Sequence, residues 1–207
     1  MRIAIIGTGR MAAGLGRGWL KAGHFVAFGS RQPEKTNPFH QSVGLESRIY
    51  GHEGAITAGE AVVLTIPYRE VAPLVARYAE LLRGKPVIDI TNPFDQQPAN
   101  GLSGAETTAS AIGDGARVLA AFKGNFAGTL AEPVDTTGTQ RDVLYCGDDQ
   151  YAKGILNSLI EDLGFRPVDC GPLSAARALD LMVPLLLEMD RRLNNDTKTS
   201  HWKFHTP

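Results

Sequence analysis

Short apolar runs alternate with amphipathic stretches along this chain, starting at the first residues. Ile3 to Ile6 is uniformly apolar, which predicts a strand buried on both faces, and Arg10 to Ala22 carries a helical period. Gly23 closes that helix and Phe25 to Gly29 forms a second apolar run. Thr36 to Gly54 is less regular, with a short helix near Phe39 to Val43 and a strand near Ser47 to Tyr50; a further short helix is expected over His52 to Gly59. The pattern sharpens at Ala61 to Ile66, a strand ended by Pro67. A helix over Tyr68 to Arg83 follows, its inner stripe made of Val71, Leu74, Val75, Tyr78, Leu81 and Leu82. Pro86 to Ile90 and Val118 to Phe122 are the next strands, separated by a polar loop and a short helix. Beyond Gly128 the order changes. Asp142 to Cys146 reads as a strand, Tyr151 to Leu163 as a helix capped by Asp148 or Asp149, and Phe165 to Asp169 as a strand. Leu173 to Asn195 is expected as one long helix kinked at Pro184.

Strand and helix in alternation predict an α/β fold, a Rossmann-type doubly wound parallel sheet with ligands at the carboxyl ends of its strands. The change of pattern divides the chain into residues 1–138 and a small C-terminal α/β domain, 139–207. The run Leu181 to Leu187 is too apolar for one face of a surface helix, so it is either buried in a cleft or set in a subunit interface, with the interface favoured. Composition narrows the partners. With 207 residues, a net charge of −1 and 43% hydrophobic content, the chain can build a sizeable core and gives no electrostatic reason to bind nucleic acid or an acidic membrane. No apolar run approaches the roughly 18 residues of a membrane span, and Met1 and Arg2 lead straight into a strand, so a cytoplasmic protein is expected. Cys146 and Cys170 are too few for a disulfide framework and are expected as small buried hydrophobes.

The candidate chemistry sits at the strand ends. Gly7-Thr8-Gly9-Arg10-Met11-Ala12 is a G-x-G-x-x-A fingerprint between the first strand and first helix. Gly7 allows the tight turn, Gly9 lets a pyrophosphate approach the backbone, and Ala12 lets helix and strand pack closely. Free N–H groups at the helix start then face the phosphates. About 20 residues on, an acid would select NAD; here Ser30 and Arg31 offer a hydroxyl and a guanidinium suited to a 2′-phosphate, which favours NADP(H) over a merely solvated arginine. Thr65 to Tyr68, Thr91 to Pro93 and Phe122 to Asn125 complete five small or polar strand ends. His40 and His52 have no second ligand at metal spacing, and no catalytic triad or carboxylate pair stands out. Hydride transfer from a nicotinamide needs none of these, because the cofactor carries its own chemistry.

Nearly the whole chain resembles the coenzyme F420-dependent NADP oxidoreductases. The resemblance rests on Gly7 to Gly9, Gly29 to Arg31, Val63 to Pro67 and Thr91 to Pro93. Its sharpest part is Cys146-Gly147-Asp148-Asp149 followed by Val168 to Ser174. It implies a Rossmann domain binding NADP(H), a small C-terminal domain closing over it, F420 or a flavin as second small-molecule substrate in the cleft, and a homodimer. The segment Ala121 to Phe126 departs from the histidine-containing stretch of the deazaflavin enzymes. On this reading Thr8, Gly9, Arg10 and Met11 hold the pyrophosphate and Ser30 and Arg31 the 2′-phosphate. Thr65, Ile66 and Pro67 pack near the ribose, and Thr91, Asn92 and Pro93 near the nicotinamide. Thr65 and Pro67 could equally serve only to end a strand. Lys123 and Asn125 reach the second substrate, unless Lys123 is simply solvated. Trp202, in the tail His201 to Phe204, covers the cleft, buries against a partner subunit or frays. Two alternatives stay open: a reductase of an imine or activated C=C, and a non-catalytic NADPH-sensing protein. An enzyme needs an open second pocket against the nicotinamide; a sensor does not.

Overall fold

The computed structural model describes residues 1–35, 37–44, 48–94, 98–195 and 199–205. Arg2–Ile6 (β1), Phe25–Gly29 (β2) and Ile49–Tyr50 (β3) lie side by side in parallel. On the other side of β1 come Ala61–Leu64 (β4), Pro86–Asp89 (β5) and Arg117–Ala121 (β6), also parallel. Asp142–Gly147 (β7) then runs antiparallel to β6, and Arg166–Asp169 (β8) runs parallel to β7, giving one eight-stranded sheet in the order 3-2-1-4-5-6-7-8. The parallel sheet expected from the alternation holds from β1 to β6, and the change of order expected beyond Gly128 begins with this reversal. Residues 122–141 connect β6 to β7 without a crossover helix, so β7 must return in the opposite direction. The boundary expected after residue 138 falls just before β7, and the strands on its two sides hydrogen-bond within the one sheet.

Strand periodicity sorts the core into two layers. Ile3 and Ile5 point to one face, where Arg10–Lys21 (α1), Asn37–Val43 (α2) and Gln150–Asp162 (α7) pack. Ala4 and Ile6 point to the other. That second face carries His52–Ala58 (α3), Tyr68–Arg77 (α4), Ala79–Leu82 (α5), Gly104–Ile112 (α6) and Ala176–Arg192 (α8). The single helix expected over Tyr68 to Arg83 is two: the chain leaves helical geometry at Tyr78 (φ −111°, ψ 21°), whose carbonyl accepts from both Leu81 and Leu82 in a tight turn. The long last helix is also shorter than expected. Leu173–Ala175 is a 3₁₀ turn, tied back by Asp148 Oδ1 accepting from the Leu173 amide at 2.9 Å, and α8 proper ends at Arg192 while passing through Pro184. Thr36 and Ser47, which bound the expected elements in the irregular stretch, lie outside the described residues.

The two halves of the sharpest motif meet. Gly147 N donates to Gly171 O at 3.1 Å, Lys153 pairs with Asp169 at 2.9 Å, and Asp149 caps α7 by accepting from Ala152 N. Its residues therefore build the β7–β8 unit rather than face a ligand. Cys146 is buried, and burial pushes its thiol up to about 12; Cys170 is half-buried and raised for the same reason. Neither is a ready nucleophile.

Candidate functional site

The parallel strands end along one edge, and the antiparallel β7 begins there. At β1 the chain turns at Gly7 with φ +126°, and a Cβ there would lie 2.4 Å from Thr65 Oγ1, so both backbone and packing require glycine. Thr65 is fixed in turn: its Oγ1 and N both donate to Ile6 O, at 2.8 and 2.9 Å. Gly9 differs. Its backbone is extended (φ −92°, ψ −174°), a Cβ would meet no protein atom within 4 Å, and it heads α1 without a side-chain cap. Nothing within the protein demands glycine at this position. The open space over this helix start fits a pyrophosphate.

Gly7, Thr8, Gly9, Ser30 and Arg31 join Thr65, Ile66 and Pro67 in lining one cavity of about 670 Å³. The same cavity takes in Gln32, Lys35 and Glu70, which no motif singled out, and His52, expected only as a surface polar residue. Lys35 was legible as a second cation four residues beyond Arg31. His52 and Glu70 come from other elements and carry no local signal. Arg31 pairs with Glu70 across the cavity at 3.3 Å while remaining 75% exposed, and Ser30 Oγ accepts from Gln32 N at 3.1 Å. Burial holds the His52 imidazole below its usual range, and the Arg31 guanidinium adds to the effect. Arg10 lines an adjoining cavity of about 650 Å³ with Thr8, Gly9, Arg17 and Lys35. Met11 lies instead against the core.

Thr91, Asn92 and Pro93 follow β5 on the same edge. Thr91 N and Oγ1 donate to Asp89 Oδ1 at 2.8 and 2.7 Å, and Asn92 Nδ2 donates to Lys123 O at 3.2 Å. Pro93 borders a third cavity, about 580 Å³, whose opposite wall is α8 with Asp180, Leu181 and Pro184. Lys123 and Asn125 do not reach into it. Lys123 is buried with its ammonium 3.0 Å from Asp180 Oδ1, and Asn125 Nδ2 donates to Asp142 O at 3.0 Å, so both are committed to protein partners. The tail is pinned rather than frayed. Lys203 Nζ and the Phe204 amide both donate to Asp142, at 2.6 and 2.8 Å, and Trp202 packs over Gly124.

A family profile described as NADP oxidoreductase, coenzyme F420-dependent, matches residues 2–93. The F420-dependent NADP reductase of Methanothermobacter marburgensis is 33% identical, the alignment covering 92% of each chain. The chain belongs to the coenzyme F420-dependent NADP oxidoreductases. It is therefore an NADP(H)-dependent oxidoreductase, and its glycine turn and basic strand end fit that cofactor. A solved structure from Arthrobacter sp. FB24, described as an F420-dependent NADP-reductase, superposes on this oxidoreductase with a TM-score of 0.87 at 25% identity, covering 99% of both chains. The metalloreductase STEAP3 of Rattus norvegicus is 29% identical over 90% of this chain, which spans only 37% of that protein's length. Among the described residues no helix is long and apolar enough to cross a membrane.

Proposed function

We propose that this oxidoreductase moves a hydride between NADP(H) and a deazaflavin of the F420 type. The observation that carries this reading is the open cavity of about 580 Å³ against Pro93, on the side of the strand edge away from Arg31. A cavity of this size suits a ring-bearing second substrate, and a protein that only senses NADPH has no use for it. The acceptor follows from the relatives, three of which are F420-dependent NADP reductases by name.

The chain's own part is binding and orientation. Thr8, Gly9 and Arg10 at the start of α1, with the backbone amide of Met11, hold the pyrophosphate. Ser30, Arg31 and Lys35 hold the 2′-phosphate; Thr65, Ile66 and Pro67 flank the ribose, and Thr91, Asn92 and Pro93 the nicotinamide. The bound nicotinamide supplies the hydride; the chain fixes the two rings face to face and excludes water between them. Residues 139–207 act as the closing domain, with α8 as the far wall of the acceptor cavity. Leu181, Leu185, Met189 and Leu193 follow one another at four-residue spacing and are 69%, 52%, 41% and 72% exposed. That outward apolar stripe supports a homodimer joined through α8.

Anaerobic mixing of NADPH with oxidised F420, with FMN and FAD as controls, tests the reading. Rapid bleaching of the deazaflavin absorbance with slow or no flavin turnover is expected. Turnover of FMN or FAD alone would make the protein a flavin reductase. No turnover with NADPH bound would point to another substrate, such as an imine or activated C=C.

A further inference from the structure

Just past β6, Phe122 adopts a left-handed φ of 54°, and the side chain that follows it is buried. The Lys123 ammonium donates to Thr91 O and lies 3.0 Å from Asp180 Oδ1 and 3.9 Å from Asp89 Oδ1. Asp89 is fully buried and also accepts from Thr108 Oγ1 at 2.7 Å, in addition to Thr91. Asp180, reaching across from α8, accepts from Gly104 N at 2.8 Å at the start of α6. One ammonium thus serves two carboxylates, leaving a formal excess of one negative charge. Arg177 and Glu106 neutralise each other at 2.7 Å; Glu188 with Arg191 and Arg192 carries one net positive charge and borders the cavity against Pro93 further along α8, but these side chains are 40–72% exposed, where screening is strong.

We propose that the Asp89–Lys123–Asp180 cluster sets the redox preference of the bound nicotinamide. It fixes the Thr91–Pro93 wall and presents that wall with net negative charge. The inference rests on the reading that Thr91 to Pro93 flank the nicotinamide. When the reduced ring gives up a hydride, a proton with both electrons of its C–H bond, to the acceptor, the ring is left cationic. Negative charge in a low-dielectric wall favours that cationic form, so the protein holds NADP⁺ tighter relative to NADPH and makes the reduced cofactor a stronger donor. At an effective dielectric of about 20 a single nearby charge is worth on the order of tenfold in that ratio. Tenfold corresponds to roughly 30 mV for a two-electron couple.

The test is equilibrium binding of NADP⁺, NADPH and adenosine 2′,5′-bisphosphate to the wild-type protein, Asp180→Asn and Lys123→Met. Asp180→Asn keeps the shape and an acceptor for Gly104 N while removing the excess charge. It should weaken NADP⁺ relative to NADPH by roughly three- to thirtyfold and leave the bisphosphate, which has no nicotinamide, unchanged. Lys123→Met adds to the excess and should move the ratio the other way, so a folding defect in one variant leaves the other to decide. An unchanged ratio, or equal weakening of NADP⁺ and NADPH, would overturn the proposal and leave the cluster a structural tie. Failure of the wild-type protein to bind the bisphosphate would instead sink the cofactor-site reading on which the proposal stands.

Discussion

At the scale of single residues, two glycines two positions apart do opposite work. Gly7 is set by the protein: its φ and its 2.4 Å approach to Thr65 Oγ1 exclude a side chain, so Gly7→Ala should cost about 2–4 kcal/mol, read as a lower urea midpoint. Gly9 meets no protein atom, and the proposed function gives its place to a pyrophosphate. Gly9→Val should lose no more than about 1 kcal/mol of stability, the cost of a poorer helix start, while abolishing measurable NADPH binding. Retained binding in Gly9→Val would show that the pyrophosphate lies elsewhere. The turn at Gly7 was legible in the sequence because the fingerprint encodes it. Lys123 was not. It looked like a solvated or substrate-facing cation, and only the fold shows Asp89 from β5 and Asp180 from α8 converging on it. Partners separated by tens of residues leave no local pattern.

At the scale of elements, the strands were legible because each is a continuous apolar run, whereas several ends were not. Ser103 and Glu106 form a full capping box at the start of α6, a spacing that was readable from the chain. The break at Tyr78 lies within an unbroken amphipathic stripe and could not be read. Asp142 shows how the last elements are fastened. From the first residue of β7 it accepts from Arg166 at the start of β8 and from Lys203 and Phe204 in the tail. Burial opposes its charge, but the hydrogen bonds from Arg166 and Lys203 outweigh it and bring the carboxyl down to about 2. An ordinary aspartate titrates near about 3.9, so this group contributes its full share, about 2 kcal/mol, above roughly pH 4 and loses it as the pH falls towards about 2. Asp142→Asn should therefore lower the urea midpoint at neutral pH, and the gap to wild type should narrow across that acid range. A gap that stays constant with pH would mean the ion pairs carry none of the stability.

At the scale of the whole molecule, alternation of strand and helix was enough to foresee a doubly wound sheet and to bring the candidate residues together at the carboxyl ends of its strands. The reversal at β7 was not foreseeable, since strand direction depends on the path of residues 122–141 and not on their hydropathy. The apolarity of the last helix was legible, and the fold resolves it into two faces. Leu179, Val183 and Leu186 are buried, while Leu181, Leu185 and Met189 face outward. Leu185→Asp should shift the protein from dimer to monomer in sedimentation equilibrium with little change in secondary structure; an unchanged mass would remove α8 from the interface. On the proposed function the cofactor runs from Arg31 over Gly9 towards Pro93. Calorimetric titration of the wild-type protein and Arg31→Ala with NADPH and NADH tests it most directly. NADPH should bind wild type far more tightly than NADH, and Arg31→Ala should lose roughly ten- to hundredfold for NADPH while barely affecting NADH. Equal affinities in the wild type, or equal losses in the variant, would contradict the placement of the 2′-phosphate and the orientation of everything beyond it.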